Sequence, residues 1–399
     1  MGPALPSEVR TLIAGRGLRA FADGFVAILL PVYLLALGFG VWHVGVLSTA
    51  TLLGSSAMTL AVGRWGHRFP HARLLLGAAA LMSATGLAFA GLTDFAPLLV
   101  VAVIGTLNPS AGDVSVFLPL EHARLAQLAH GAARTRVFAL YSLSGALLAA
   151  VGSLAAALPD VATRLGIDRL TALRCMFGLY AAIGLCVWGL YRRLPQVEQA
   201  TAGATPGLGR SRRNVARLAA LFSVDAFAGG LLVQSLLALW LFERFDLSLS
   251  QAASFFFWTS LLSACSQLAA PRVAARFGLL NTMVFTHIPS SIALIGAAFA
   301  TRLDVALALL LVRAALSQMD VPTRSAYVMA LVEPGERAAA ASYVAVPRSL
   351  AASLGPTLSG ALLAVGWMAA PLVACGALKI IYDLALLATF RNEPIEEDK

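Results

Sequence analysis

Apolar runs of about 20 residues, the length needed to cross a bilayer, recur along the chain, each closed by a short polar or basic turn. The runs fall at about 11–36, 41–62, 72–91, 96–119, 137–158, 172–191, 217–242, 250–270, 280–300, 304–330, 341–364 and 369–389. Every run reads as a helix, because lipid offers the backbone no water to bond. Continuous stretches such as 218–241 lack the alternation of a porin strand. The pattern predicts an all-α integral membrane protein with twelve transmembrane helices.

Composition supports this. Of 399 residues, 59% are apolar and 12% charged, against about 25% charged in ordinary soluble domains. The net charge of +9 therefore reads as membrane orientation, not as a nucleic-acid surface. Twenty basic residues fall in one set of loops: Arg10, Arg16, Arg19, Arg64, Arg68, Arg73, Arg124, Arg134, Arg136, Arg192, Arg193, Arg210, Arg212, Arg213, Arg217, Arg272, Arg276, Arg337, Arg391 and Lys399. Five, Arg164, Arg169, Arg174, Arg244 and Arg302, fall in the other set. The positive-inside rule puts the first set, with both termini, in the cytoplasm. The segment 1–10 leads into a full-length span, which is not the pattern of a cleaved leader. Heavy Ala and Arg use points to a GC-rich bacterium and its cytoplasmic (inner) membrane. Cys175, Cys186, Cys265 and Cys375 are scattered, with no metal or disulfide spacing, and read as buried small apolar side chains.

The halves repeat. Ala22-Asp23-Gly24-Phe25 answers Val224-Asp225-Ala226-Phe227 202 positions later, Gly112-Asp113-Val114 answers Met319-Asp320-Val321 207 later, and Arg68-Phe69 answers Arg276-Phe277 208 later. This divides the chain into six-helix halves at 1–191 and 217–399, joined by a cytoplasmic linker at 192–216.

The basic loop from Gly63 to Arg73, with Arg68 and Phe69 inside it, resembles the loop between the second and third helices of the major facilitator superfamily. His67 stands where that family has an acid, and Pro70 where it has Gly. The resemblance covers nearly the whole chain. It implies two six-helix halves related by a pseudo-two-fold axis around a central cavity. Asp23, Pro31 and Tyr33 together with the loop look most like the drug:proton antiporter and efflux branch. The Gly-Pro motif that antiporters carry in span five is found here in span eleven, as Gly355-Pro356. Asn108 stands where the family often has an Arg. The resemblance also implies gating contacts near the inner face: Arg68 with Asp113 or Glu121, and Arg276 with Asp320 or Glu333. His67 would make the first of these pH-dependent.

Charges inside a bilayer are costly, so each one needs a partner or a cavity. Asp23 lies about 18 Å into span one at 1.5 Å per residue, near the midplane where secondary transporters place their sites. It reads as a proton-coupling or cation-holding carboxylate, or else as a structural one, and Asp225 is its repeat partner. Asp320 and Arg324 are either a gate or a simple i,i+4 pair. Lys379 and Asp383 read as such a pair. Arg313 and Arg348 either hold an anionic substrate in their planar forks or neutralise the aspartates. Tyr33, Asn108, Gln234, Gln267, Gln318 and His287 are further polar positions within spans, each a cavity group or a helix-to-helix hydrogen bond. Trp240, Trp258 and Phe255–Phe257 line an apolar pocket or face lipid.

The expected activity is secondary transport by alternating access: proton-coupled efflux of an amphiphilic or cationic compound, or else transport of an organic anion. A P-loop of the G-x-x-x-x-G-K-S/T kind is missing from the sequence, and so is a cluster of His, Asp or Ser suited to catalysis. Neither an enzyme, a metal site nor a cofactor is expected. The expected partners are a small-molecule substrate, protons and the lipid bilayer, with the chain acting as a monomer. A membrane sensor that kept such a fold without transporting is a further class.

Overall fold

The computed structural model describes residues 5–110, 115–129, 131–195, 209, 211–333 and 336–391, with no strand among them. In chain order the helices are α1 (Ser7–Ala36), α2 (Val41–Trp65), α3 (His71–Gly91), α4 (Phe95–Ile104), α5 (Phe117–Leu128), α6 (Gly131–Ala155), α7 (Leu158–Arg164) and α8 (Arg169–Tyr191). They continue with α9 (Arg212–Gly230), α10 (Gln234–Phe245), α11 (Leu249–Phe277), α12 (Leu279–Phe299), α13 (Leu303–Ser317), α14 (Asp320–Leu331), α15 (Arg337–Ala364) and α16 (Ala370–Phe390). Each of the twelve expected spans is thus helical, and the fold class matches the expectation.

Three spans are not continuous, contrary to the sequence expectation, and the local chemistry explains why. Span four stops after α4 at Gly105, and Asn108-Pro109 follows. Pro109 lacks the N–H that a helix would need there, and it biases Asn108 away from helical geometry. The Asn108 carboxamide oxygen accepts instead from the Ser110 N–H at 3.1 Å and hydroxyl at 2.7 Å. Span ten breaks between α13 and α14 at Gln318-Met319. The ring of Pro322 would clash with the carbonyl of residue 318, four positions back. Span seven breaks after Gly229-Gly230. Backbone groups freed at membrane depth must find partners, and the Ser235 N–H donates to the Pro109 carbonyl at 3.0 Å.

The helices gather into two compact units. The first holds the described residues of Met1–Thr201 with Gln234–Phe257, and the second those of Ala202–Val233 with Trp258–Lys399. Relative to a division at the linker, Gln234–Phe257 goes with the first unit.

In the first unit α1 runs along α6 and α8, and α3 along α8. α1 begins after Pro6, where a missing N–H costs nothing. It ends in a turn whose Gly38 has φ +90°, a left-handed geometry that suits glycine. Asp168 caps α8, accepting from the Thr171 N–H at 3.0 Å, and that bond holds its carboxyl below the usual range. Asp160 receives the Ser250 N–H and hydroxyl, each at 3.0 Å, at the start of α11.

In the second unit α9 lies along α15 and α16, and α12 along α13 and α16. Its core holds Phe222, Met283, Val284, Tyr327, Val328, Tyr382 and Leu386.

Glycines set the closest approach in each unit. A Cβ on Gly152 would lie 2.0 Å from the Phe21 carbonyl oxygen, and one on Gly355 would lie 2.3 Å from the Gly230 carbonyl carbon. Backbone atoms cannot swing aside as a side chain can. Gly152→Ala is therefore expected to destabilise by about 1–3 kcal/mol, the usual cost of overpacking. The readout is a lower thermal midpoint in detergent, whereas Gly178→Ala, whose Cβ meets nothing within 4 Å, leaves it unchanged.

Large apolar side chains such as Leu87, Val100, Leu185, Ile292 and Leu354 are exposed, as lipid-facing positions should be. Cys175, Cys186 and Cys265 are also exposed, and of the four cysteines only Cys375 is buried. The expectation of four buried thiols is corrected here, since a small apolar side chain sits as readily on a lipid face. Trp240, Phe255 and Phe256 are buried while Trp258 is exposed, so the aromatic set splits between core and surface.

Candidate functional site

Each unit buries a polar network. In the first, three helices converge on Glu121 of α5, which is fully buried. Its carboxylate receives the Arg19 guanidinium from α1 and the hydroxyls of Tyr141 from α6 and Tyr191 from α8. Arg19 also stacks on Phe117, 3.9 Å from the ring centroid, and Arg16 lies over the Tyr141 ring at 5.6 Å. Nearby, Arg124 Nη2 is 2.6 Å from Glu8 Oε2. A carboxylate with its charge matched and its lone pairs filled is tolerable in a dry interior.

This network corrects two sequence readings. Arg16 and Arg19, counted with the loops, are buried inside α1, because the positive-inside count uses position along the chain and not burial. Glu121 is also occupied by these three partners and not by Arg68, which is exposed. Asp113, the other proposed partner of Arg68, lies outside the described residues. Asp23 is buried one turn after Arg19 and within its electrostatic reach.

The second network carries more charge. Asp225 on α9 sits between Lys379 Nζ of α16, at 2.6 Å from Oδ1, and Arg324 Nη1 of α14, at 3.3 Å from Oδ2. Arg324 also bonds Asp320 one turn back on its own helix. His287 of α12 places Nδ1 3.0 Å from Asp383 Oδ2, and Nε2 3.3 Å from Lys379 Nζ and 4.0 Å from Asp225 Oδ1. The chain Asp383, His287, Lys379, Asp225, Arg324, Asp320 runs across four helices, with an acid beside a base at every step except His287 to Lys379.

Lys379 and Asp383 are therefore not the local pair that their i,i+4 spacing suggests. α16 turns Lys379 toward α9 and Asp383 toward α12, where each finds a partner on another helix. Asp320 and Arg324 do pair along their helix, with Arg324 also reaching Asp225. Arg276 lies near the Phe277 ring, 5.6 Å from its centroid, while Glu333 is exposed.

The remaining candidates spread out. The Tyr33 hydroxyl donates to the Phe89 carbonyl. Gln267 Nε2 donates to Gln318 Oε1 at 3.2 Å, a helix-to-helix bond. Gln234 Nε2 is buried without a partner among the described residues. Arg348 is exposed on α15, within electrostatic reach of Arg324, Asp225 and Asp320. Arg313 is half-buried on α13, and its guanidinium has no hydrogen bond or ion pair among the described residues.

Tyr141, Tyr180, Tyr191 and Tyr382 were not singled out from sequence. A signal existed for two of them: Tyr180 and Tyr382 are 202 positions apart, the same offset as Asp23 and Asp225. Tyr180 lies within electrostatic reach of Asp23, as Tyr382 does of Asp225.

Comparison with known proteins gives concordant results. A family model described as the Major Facilitator Superfamily matches residues 12–319 and, in a second match, 221–399. An uncharacterized membrane protein of Saccharomyces cerevisiae is 25% identical, covering 96% of this chain and 94% of its own. Among solved structures, the nucleoside transporter NupG superposes with a TM-score of 0.73 at 14% identity, over 96% of this chain and 99% of its own. The human organic anion transporter MFSD10 superposes with a TM-score of 0.62 at 18% identity, over 96% and 100%. At these identities the likeness is one of fold.

Proposed function

Because the chain belongs to the Major Facilitator Superfamily, a family of transporters and not of enzymes, we propose that it carries a small organic anion through the membrane by alternating access, coupled to protons. One observation carries the choice of an anion. In the second unit Asp225, Asp320 and Asp383 are all held by cationic or imidazole partners, while Arg313 and Arg348 have no carboxylate bonded to them among the described residues. Asp23 in the first unit is not free either. With Arg313 and Arg348 counted beside Arg324 and Lys379, four fixed cations stand against Asp225, Asp320 and Asp383, and an anionic cargo answers the excess. Export of a cation, which Asp23 and the first spans suggest by sequence, has less support from this arrangement. The same reading keeps a single chain as the working unit and the cytoplasmic membrane as its place, with both termini inside.

The test uses purified protein and two probe sets, aromatic and aliphatic carboxylates against cationic dyes such as ethidium. Carboxylates are expected to raise the thermal midpoint and to enter proteoliposomes. Arg348→Gln should weaken carboxylate binding at least tenfold, or about 1.4 kcal/mol, and Arg313→Gln by a similar factor. Arg348→Lys should recover only part of the loss, since an ammonium lacks the planar fork. Response to the dyes alone, abolished by Asp23→Asn, would return the cation reading to first place.

A further inference from the structure

His287 sits between two groups that dictate its protonation state by geometry. An ammonium has only protons to offer. For Lys379 Nζ to lie 3.3 Å from His287 Nε2 in a bond, Nε2 must present its lone pair. The ring proton is then on Nδ1, where it donates to Asp383 at 3.0 Å. The imidazole is thus neutral, with its basic nitrogen turned toward a cation, and Asp225 lies 4.0 Å beyond.

We propose that Nε2 of His287 is the proton-loading atom of the second unit, and that loading it exchanges the partner of Asp225. A proton from hydronium joins the Nε2 lone pair and leaves water behind, and no covalent bond within the chain breaks. Nε2 can then no longer accept from Lys379, and two cations cannot stay at hydrogen-bond distance. The ammonium swings off on its flexible stem, and the imidazolium N–H turns to Asp225. Arg324 keeps its hold on the other oxygen of Asp225, so the carboxylate stays anchored while one of its two cations changes. Unloading reverses each step. This assignment rests on the proton coupling proposed above and names the group that carries it.

Every neighbouring helix contributes charge to the exchange. α16 supplies Lys379, Asp383 and the Tyr382 ring, 6.2 Å from the imidazole. α9 supplies Asp225, α14 supplies Asp320 and Arg324, and α13 supplies Arg313, whose carbonyl takes the Ser290 hydroxyl at 3.4 Å. α15 adds Arg348, within reach of Asp225. Among the directly bonded groups there are three carboxylates, Asp225, Asp320 and Asp383, against two fixed cations, Arg324 and Lys379. One proton on His287 closes that difference.

The experiment is imidazole nitrogen NMR on the full chain in lipid nanodiscs without substrate. The other five histidines, His43, His67, His71, His122 and His130, are replaced by Gln, so that one ring is observed. The expected neutral form at high pH carries its proton on Nδ1 with a bare Nε2, and it converts to imidazolium as the pH falls. In Lys379→Met the donor to Nε2 is gone, and the Nε2 signal of the neutral ring moves toward that of an unbonded lone pair. A neutral form protonated on Nε2, an imidazolium at every pH, or an Nε2 signal unmoved in Lys379→Met would overturn the assignment. Should carboxylates cross proteoliposomes without proton movement while the ring titrates as expected, the coupling reading fails and the site stands.

Discussion

Glu121→Ala is expected to cost the first unit about 3–5 kcal/mol, the range for stripping one partner from a buried ion pair. The loss is large because one carboxylate serves three helices. Arg19, only 2% exposed, would be left with its charge and no carboxylate, and Tyr141 and Tyr191 would lose their acceptor. Fluorescence-detected size-exclusion chromatography after heating should show a much lower midpoint and loss of the monodisperse peak. The double variant Arg19→Met with Glu121→Met should recover most of the loss, since a well-packed apolar pair can replace a buried ionic one at little cost. A single variant that melts with the wild type would mean that the network adds nothing to stability.

Asp225→Asn is the second large effect, and it should strike transport as well as stability. The amide keeps the shape and loses the charge that holds Lys379 and Arg324 together. Lys379 then loses its carboxylate in a buried site, while Arg324 keeps only Asp320, again at a cost of about 3–5 kcal/mol. Carboxylate uptake into proteoliposomes should fall at least a hundredfold. Adding Lys379→Met removes the stranded ammonium and should restore the thermal midpoint while leaving uptake impaired. Full uptake by Asp225→Asn would remove the residue from the working machinery.

Sequence alone made some of this legible, for a physical reason. The twelve spans and the duplicated acids follow from hydropathy and offset, which are properties of position along the chain. Pro109 and Pro322 are visible breakers, but a run of apolar residues masks them, so the interruptions of spans four and ten were missed. Partners are another matter. Arg19 and Glu121 stand 102 positions apart, and Asp225 and Lys379 stand 154 apart. No local rule connects them. The nearest local rule, i,i+4 spacing, suggested Lys379 with Asp383, because it ranks neighbours along one helix and is blind to the helices that pack against it.

The interruption of span four bears on how the chain is made. α4 has 10 residues and α5 has 12, or about 15 and 18 Å of helix, and neither crosses a hydrocarbon core of about 30 Å. α5 also carries Glu121 and Arg124, which lipid alone would not accept. As the ribosome delivers the chain, Arg19 is already in place when Glu121 emerges, but Tyr141 and Tyr191 are not yet synthesised. α5 is therefore expected to settle only once the polypeptide has been extended through Tyr191. Span four is then expected to be finished only after span six, so that the order of completion differs from the order of translation.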